Sequence, residues 1–271
     1  MMTTKVMVFD LDGTLYEDTH HFEYFAKQLS KRLTNAHGFM NQYYEAVEEK
    51  HTLKVGTVYD RENDRILIQK EGRVLEAFQW DGTPLLPVEE YYPTPITFDF
   101  RTMQSIGDLW GVPIAIGRHF GLSSVEINEA FLETRRYMMS DEFVMSPVGG
   151  LADALEELAK TKKLVLMTNS PQVDSERIVE KLGLKGLFTY AIFEAKKPVK
   201  TEERLRTIAS HFGVETAEMM SVGDNWINEI NPARKLGCST IFIDVHQIGD
   251  ASSADVVVHQ VSELVASLQS I

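Results

Sequence analysis

Four consecutive apolar residues, Val6-Met7-Val8-Phe9, run directly into two carboxylates one residue apart, in Asp10-Leu11-Asp12-Gly13-Thr14. A short continuous apolar run bounded in this way predicts a strand buried on both faces and ending at Asp10. A carboxylate at the end of such a strand loses hydration. An isolated pair there is costly unless it is hydrogen-bonded or bound to a cation. Alternation along an extended chain puts Asp10 and Asp12 on the same side. One of them can then attack a substrate while the other reaches the leaving oxygen. Gly13 removes a side chain where the backbone must bend sharply or approach a ligand. Asp-x-Asp-Gly also occurs in calcium-binding loops, but those lie between two helices and need further oxygen ligands and a downstream glutamate. The buried strand before Asp10 argues against that alternative.

From residue 150 onward the pattern alternates. Residues 150–161 read as an amphipathic helix with Leu151, Leu155 and Leu158 on one face. Residues 164–167 read as a buried strand, followed by Thr168-Asn169-Ser170-Pro171, with Pro171 in the first turn of a helix that runs to Leu182 and stops at Gly183. Strands are expected at 190–193, 219–222, 240–243 and 256–258. Helices are expected at 202–212, from Asp224 to Leu236 with a stop at Gly237, and at the end of the chain as far as Leu268. This alternation predicts an α/β fold, a Rossmann-like parallel sheet flanked by helices. Ligands of such sheets bind beyond the carboxyl ends of the strands, and Asp10, Thr168 and Asp224 each stand just past one.

The middle of the chain differs. Residues 22–33 look helical. Short alternating stretches at 57–59, 65–68 and 73–78, separated by Asp60-Arg61-Glu62-Asn63-Asp64 and Glu71-Gly72, predict an antiparallel meander. Pro84, Pro87, Pro93 and Pro95 break the chain, and helical character returns over 120–139. The expected organisation is therefore a core built from residues 1–16 and 146–271, with an inserted cap domain of mixed helix and short strands over 17–145. There is no internal repeat and no low-complexity tract.

With 271 residues, 44% of them apolar, the chain has ample material for a core. The formal charge of −13 disfavours nucleic acid, whose binding draws on neutralised phosphates. It does not disfavour a small phosphorylated substrate, because a bound cation reverses the local field. Cys238 has no partner for an internal disulfide and reads as a buried apolar residue suited to a reducing cytoplasm. No apolar run approaches the roughly 18 residues needed to cross a bilayer, and the N-terminus lacks a secretory pattern. A soluble cytoplasmic protein with no membrane partner is expected, in an oligomeric state that the sequence leaves open.

Taken in order, the motifs point to a family. The segment Phe9-Asp10-Leu11-Asp12-Gly13-Thr14-Leu15 resembles the first motif of the haloacid dehalogenase-like hydrolase superfamily. Thr168-Asn169-Ser170 resembles its second, Lys197-Pro198 its third, and Gly223-Asp224 through Glu229 its fourth. The insertion has the position of that superfamily's first type of cap. The resemblance implies a phosphatase in which Asp10 is the nucleophile and forms an aspartyl-phosphate, while Asp12 protonates the leaving alkoxide and later deprotonates water. It implies that Thr168, Asn169 and Lys197 bind the phosphoryl group. It also implies that Mg2+ is held by Asp10, the Asp12 backbone carbonyl and Asp224. The superfamily's dehalogenases lack the second aspartate, because a halide leaves without a proton, so Asp12 favours phosphoryl transfer. Glu229 stands where an aspartate is usual, and Asn225 where serine is frequent.

Duller readings compete for several residues. Thr168 and Asp224 suit helix caps, Lys197 a solvated Lys196-Lys197 pair, and Glu229 a surface position. His20-His21, Arg118-His119 and Arg135-Arg136 read as packing or solvated faces, Tyr16 as a neighbour of the site, and Trp80, Trp110 and Trp226 as packing residues. Two other functions are compatible with the motifs. One is a non-catalytic phosphate-binding protein whose site has decayed, with Glu229 as the sign, and the other an intramolecular phosphomutase.

Overall fold

The computed structural model describes residues 4–70, 72–96 and 101–271. In chain order its strands are β1 (Val6–Phe9), β2 (Val58–Asp60), β3 (Arg65–Lys70), β4 (Arg73–Gln79), β5 (Met103–Ser105), β6 (Lys163–Met167), β7 (Tyr190–Ile192), β8 (Met219–Gly223), β9 (Ser239–Ile243) and β10 (Val256–Val258). The chain divides into two compact units, Met1–Asp18 with Arg136–Ile271, and Thr19–Arg135.

The first unit is a parallel sheet in the order β10-β9-β8-β1-β6-β7, flanked by helices. All four residues of β1 are buried, as a central parallel strand requires. Phe9 lies in register between Leu166 of β6 and Val222 of β8, so three strands end level with one another. From β1 the sheet runs outward through β6 and β7 on one side and through β8 to β10 on the other. The strand order therefore reverses at β1, and the crevice beyond its carboxyl end is where such sheets hold ligands.

The flanking helices follow the apolar spacing. Leu151–Ala159 buries Leu151, Ala154, Leu155 and Leu158. In Gln172–Lys181, Pro171 is the cap rather than part of the first turn, and Gly183 ends the segment with φ of +74°. Thr201–Phe212 packs Leu205 and Ile208 onto Val6, Val8 and Val165 of the sheet. Cys238 is buried, and burial pushes its thiol up to about 11.

One expected helix is not regular. After Asp224 the chain makes a wide π turn, Trp226–Ile230, before the short helix Asn231–Lys235. Pro232 has no N–H to give the carbonyl four residues back, that of Asn228. Thr201 Oγ1 donates to this carbonyl instead, at 2.8 Å. The irregularity is therefore satisfied rather than strained.

The second unit contains the antiparallel sheet β4-β3-β2-β5. Its helices include His20–Ser30, Ala36–Val47 and Gly111–His119. Phe25, Phe39, Trp80, Ile106 and Ile116 form its core. The expected meander is present, and β5 adds a fourth strand against β2. The helix expected over 120–139 begins only at Ser124, because Gly121, with φ of +91°, separates it from Gly111–His119. Glu71, half of an expected turn, lies outside the described residues. Among the described residues, no helix is long and apolar enough to cross a membrane.

Candidate active site

The ladder of β1 continues one residue past the strand, where the Asp10 N–H donates to the Val222 carbonyl at 3.0 Å. This bond carries the buried Asp10 carboxylate to the mouth of the crevice. Lys197 Nζ reaches it from the loop after β7, 2.6 Å from Asp10 Oδ1, and lies 2.6 Å from Glu229 Oε1 as well. The lysine side chain is 2% exposed. Lys196 is exposed, so Lys197 is the inward member of the pair.

Asn169 explains how the lysine is placed. Its Oδ1 accepts from the Lys197 N–H at 2.7 Å, and its Nδ2 donates to the Lys197 carbonyl at 3.0 Å. The amide expected to bind substrate is engaged with the lysine backbone on both of its atoms. Thr168 is 1% exposed, and its Oγ1 accepts from the Ser170 N–H at 3.1 Å, which folds the loop after β6.

Glu229 is not a surface residue. It is 1% exposed, and its Oε2 accepts from the Asn225 N–H at 3.0 Å while Oε1 holds Lys197. Gly223 makes room for it, since a Cβ there would sit 2.6 Å from Glu229 Cγ. The extra methylene lets the carboxylate extend from the π turn to Lys197. The side chain is thus built into the site rather than placed on the surface.

Asp224 lies at the end of β8 beside Gly13. A Cβ on Gly13 would fall 2.2 Å from Asp224 Oδ2, and its φ is +75°. Only glycine meets both conditions. One carboxylate oxygen each from Asp10, Asp224 and Glu229 lies within 4.8 Å of the others. Hard oxygen donors at this spacing suit a small divalent cation such as Mg2+. Any of the three carboxylates could contribute a ligand atom to such an ion.

Asp12 lies on the same loop, with Tyr16 Oη donating to its Oδ1 and Ser170 Oγ to its Oδ2 at 2.9 Å. Tyr16 is fully buried, so its proximity is a specific contact. The sequence places Tyr16 near the site by proximity alone and does not show its bond to Asp12. Ser170 sits inside the second motif, but nothing in its spacing says which carboxylate it meets.

The electrostatics are tightly coupled. Burial pushes the Asp10 carboxyl above the usual range, opposed by Lys197 and reinforced by Asp12. Burial also works to depress Lys197, but the Asp10 and Glu229 carboxylates outweigh it and hold the ammonium above its ordinary pKa. The lysine therefore stays charged, and a cation beside Asp10 would favour its ionised carboxylate.

Several other candidates have contacts within their own unit. His21 packs on Phe22 and Trp110. His119 stacks on Trp80 at 4.0 Å and pairs with Asp64. Arg135 is 1% exposed and lies over the Trp110 and Phe131 rings, contrary to the solvated position expected for it, whereas Arg136 is exposed. Trp226 Nε1 donates to the Ser253 carbonyl at 3.2 Å, a packing role.

Comparison with known proteins gives the same fold. No curated protein sequence matches the chain. Among solved structures it resembles the HAD-hydrolase YfnB of Bacillus subtilis, described bound to magnesium, at 13% identity and a TM-score of 0.55, covering 99% of this chain and 100% of that one. It also resembles a predicted phosphoglycolate phosphatase of Haemophilus somnus, at 17% identity and a TM-score of 0.56, with the same coverage. The L-2-haloacid dehalogenase RSc1362 is similar as well, at 16% identity and a TM-score of 0.52, again covering 99% and 100%. At these identities the likeness is one of fold alone, and it spans proteins named for two different reactions. The haloacid dehalogenase-like hydrolase family model matches residues 4–237, a span that includes all four motifs and the whole set of side chains described above. The chain belongs to the haloacid dehalogenase-like hydrolases.

Proposed function

We propose that this protein is a magnesium-dependent phosphohydrolase that cleaves a small phosphomonoester, of the sugar phosphate or nucleotide class, through an aspartyl-phosphate on Asp10. The observation that carries this reading is Asp12, a second carboxylate on the loop of the first, held through both oxygens by hydroxyl donors. A halide leaves without a proton and needs no such group. An alkoxide does.

In the first step a carboxylate oxygen of Asp10 bonds to phosphorus while the ester oxygen departs with a proton from Asp12. In the second, Asp12 takes a proton from water as the water oxygen bonds to phosphorus. Inorganic phosphate leaves and Asp10 is restored. Lys197, charged and anchored by Glu229 and Asn169, offsets the charge of the phosphoryl oxygens. Thr168 shapes the phosphoryl-binding loop between Asp10 and Ser170. Magnesium, held by Asp10 and Asp224 with the Asp12 carbonyl that the family pattern implies, would supply the charge neutralisation that lets an anion attack a dianion. Residues 17–145 serve in this reading as a cap of the family's first type, and the lone buried Cys238 suits the cytoplasm.

The test is hydrolysis of p-nitrophenyl phosphate by the purified chain with and without Mg2+. Turnover is expected to need the metal and to fall at least about a thousandfold in Asp10→Asn. Halide release from a 2-haloacid without any phosphatase activity, or full activity in Asp10→Asn, would refute the proposal.

A further inference from the structure

The unit formed by Thr19–Arg135 contains a cavity of about 250 Å³ that the reaction chemistry does not use. Its floor includes the buried Tyr59 and Leu122, and its walls carry Arg61, Glu62, Arg101 and Arg118. Local structure brings these residues together. The turn after β2 presents Arg61, whose N–H donates to the Thr102 carbonyl at 2.8 Å and whose Nη1 donates to the Arg101 carbonyl at 3.0 Å. The last turn of Gly111–His119 presents Arg118, held by the Leu122 carbonyl at 3.1 Å and by Ser124 Oγ.

Arg61 and Arg118 both line this cavity, in a chain whose formal charge is −13. The bonds of Arg61 and Arg118 go to neutral oxygens, and neither makes an ion pair among the described residues. Burial and the nearby charge of Arg61 both push Arg118 below its ordinary pKa, so the two cations repel across the cavity. Tyr59 offers no competing proton, because its hydroxyl donates to Asp64. Like charges held close cost energy that an anion between them recovers, and guanidinium forks match the geometry of phosphoryl oxygens.

We propose that this cavity is a second anion site, which takes the phosphoryl group of a small molecule between Arg61 and Arg118. A cavity of this size suits a small metabolite rather than a macromolecule. None of these residues takes part in the chemistry proposed for the core.

Calorimetric titration of the full chain with inorganic phosphate in the presence of Mg2+ tests this. Two sites per chain are expected. Lys197→Met should abolish the core site and leave the cavity site intact. Arg61→Gln and Arg118→Gln should each weaken the cavity site about tenfold or more without changing the turnover of an aryl phosphate. Arg118 also holds its own loop, so the exposed Arg61 gives the variant that keeps the test decisive if Arg118→Gln does not fold. Methylphosphonate, which cannot be hydrolysed, separates the sources. Binding of both anions assigns the cavity to an organic phosphoryl group. Binding of inorganic phosphate alone supports the anion site but assigns it to the free ion. Loss of all phosphate binding in Lys197→Met, with Arg61→Gln titrating like the unaltered chain, overturns the proposal.

Discussion

Asp12 receives two hydroxyl donors from different parts of the fold, Tyr16 four residues on and Ser170 from the loop after β6. Such contacts fix the carboxylate in one rotamer, and a proton shuttle needs that geometry in both half-reactions. Tyr16→Phe keeps the buried ring and removes only the hydroxyl. It is expected to lower kcat roughly tenfold, the worth of one hydrogen bond to a charged group, with little change in KM. Whether Tyr16 acts through Asp12 is decided by a double-mutant cycle. In an Asp12→Ala background, Tyr16→Phe should have no further effect. If the two losses multiply instead, the tyrosine serves some other part of the site and the positioning role is wrong.

At the scale of turns and strands, two glycines with nearly equal φ have different jobs. Gly13, at +75°, faces the Asp224 carboxylate, whereas Gly183, at +74°, ends a helix with open space where a side chain would stand. Alanine at either site pays the left-handed penalty, about 1–2 kcal/mol. Only at Gly13 does it also displace a proposed metal ligand. Thermal melts should therefore show a loss for both variants, but only Gly13→Ala should need a higher Mg2+ concentration for half-maximal activity. An unchanged metal requirement in Gly13→Ala would detach Asp224 from the cation. Such elements were readable in the sequence where one local cause dominated. The apolar run before Asp10 and the Leu151, Leu155 and Leu158 face each follow from burial on a fixed period. The π turn was hidden, because it depends on Thr201 satisfying a carbonyl that Pro232 cannot serve. Strand β5 was hidden too, as three half-buried residues have no periodicity to read and owe their state to pairing with β2. Asp10, Thr168 and Asp224 were marked by their places just past strand ends and Asp12 by its spacing from Asp10, whereas Lys197 was marked only by its likeness to a family motif. The roles of Tyr16, Asn169 and Glu229 were not, because each depends on a partner made near only by the fold.

Across the whole molecule, each of the two units has a core of its own. The sheet around β1 buries Val6, Val8, Val165 and Met219 against Leu205 and Ile208, and the other unit closes around Phe25, Phe39, Trp80 and Ile116. The chain also leaves and re-enters the first unit at one place. Ser146 N–H donates to Asp18 Oδ2 at 3.0 Å, and Lys181 Nζ holds the returning segment through the carbonyls of Met138 and Phe143, both at 3.0 Å. These bonds lie within the first unit, so removing the insertion leaves them in place. A chain in which a short Gly-Ser linker joins Asp18 to Arg136 is therefore expected to fold to the α/β core. Its melt should be cooperative, and its circular dichroism should lack the contribution of the antiparallel sheet. The excised 19–135 segment should fold as well, with a cooperative loss of Trp80 and Trp110 fluorescence in denaturant. If the shortened core gives only a broad, non-cooperative transition, the sheet depends on the insertion for its stability and the chain is one folding unit rather than two.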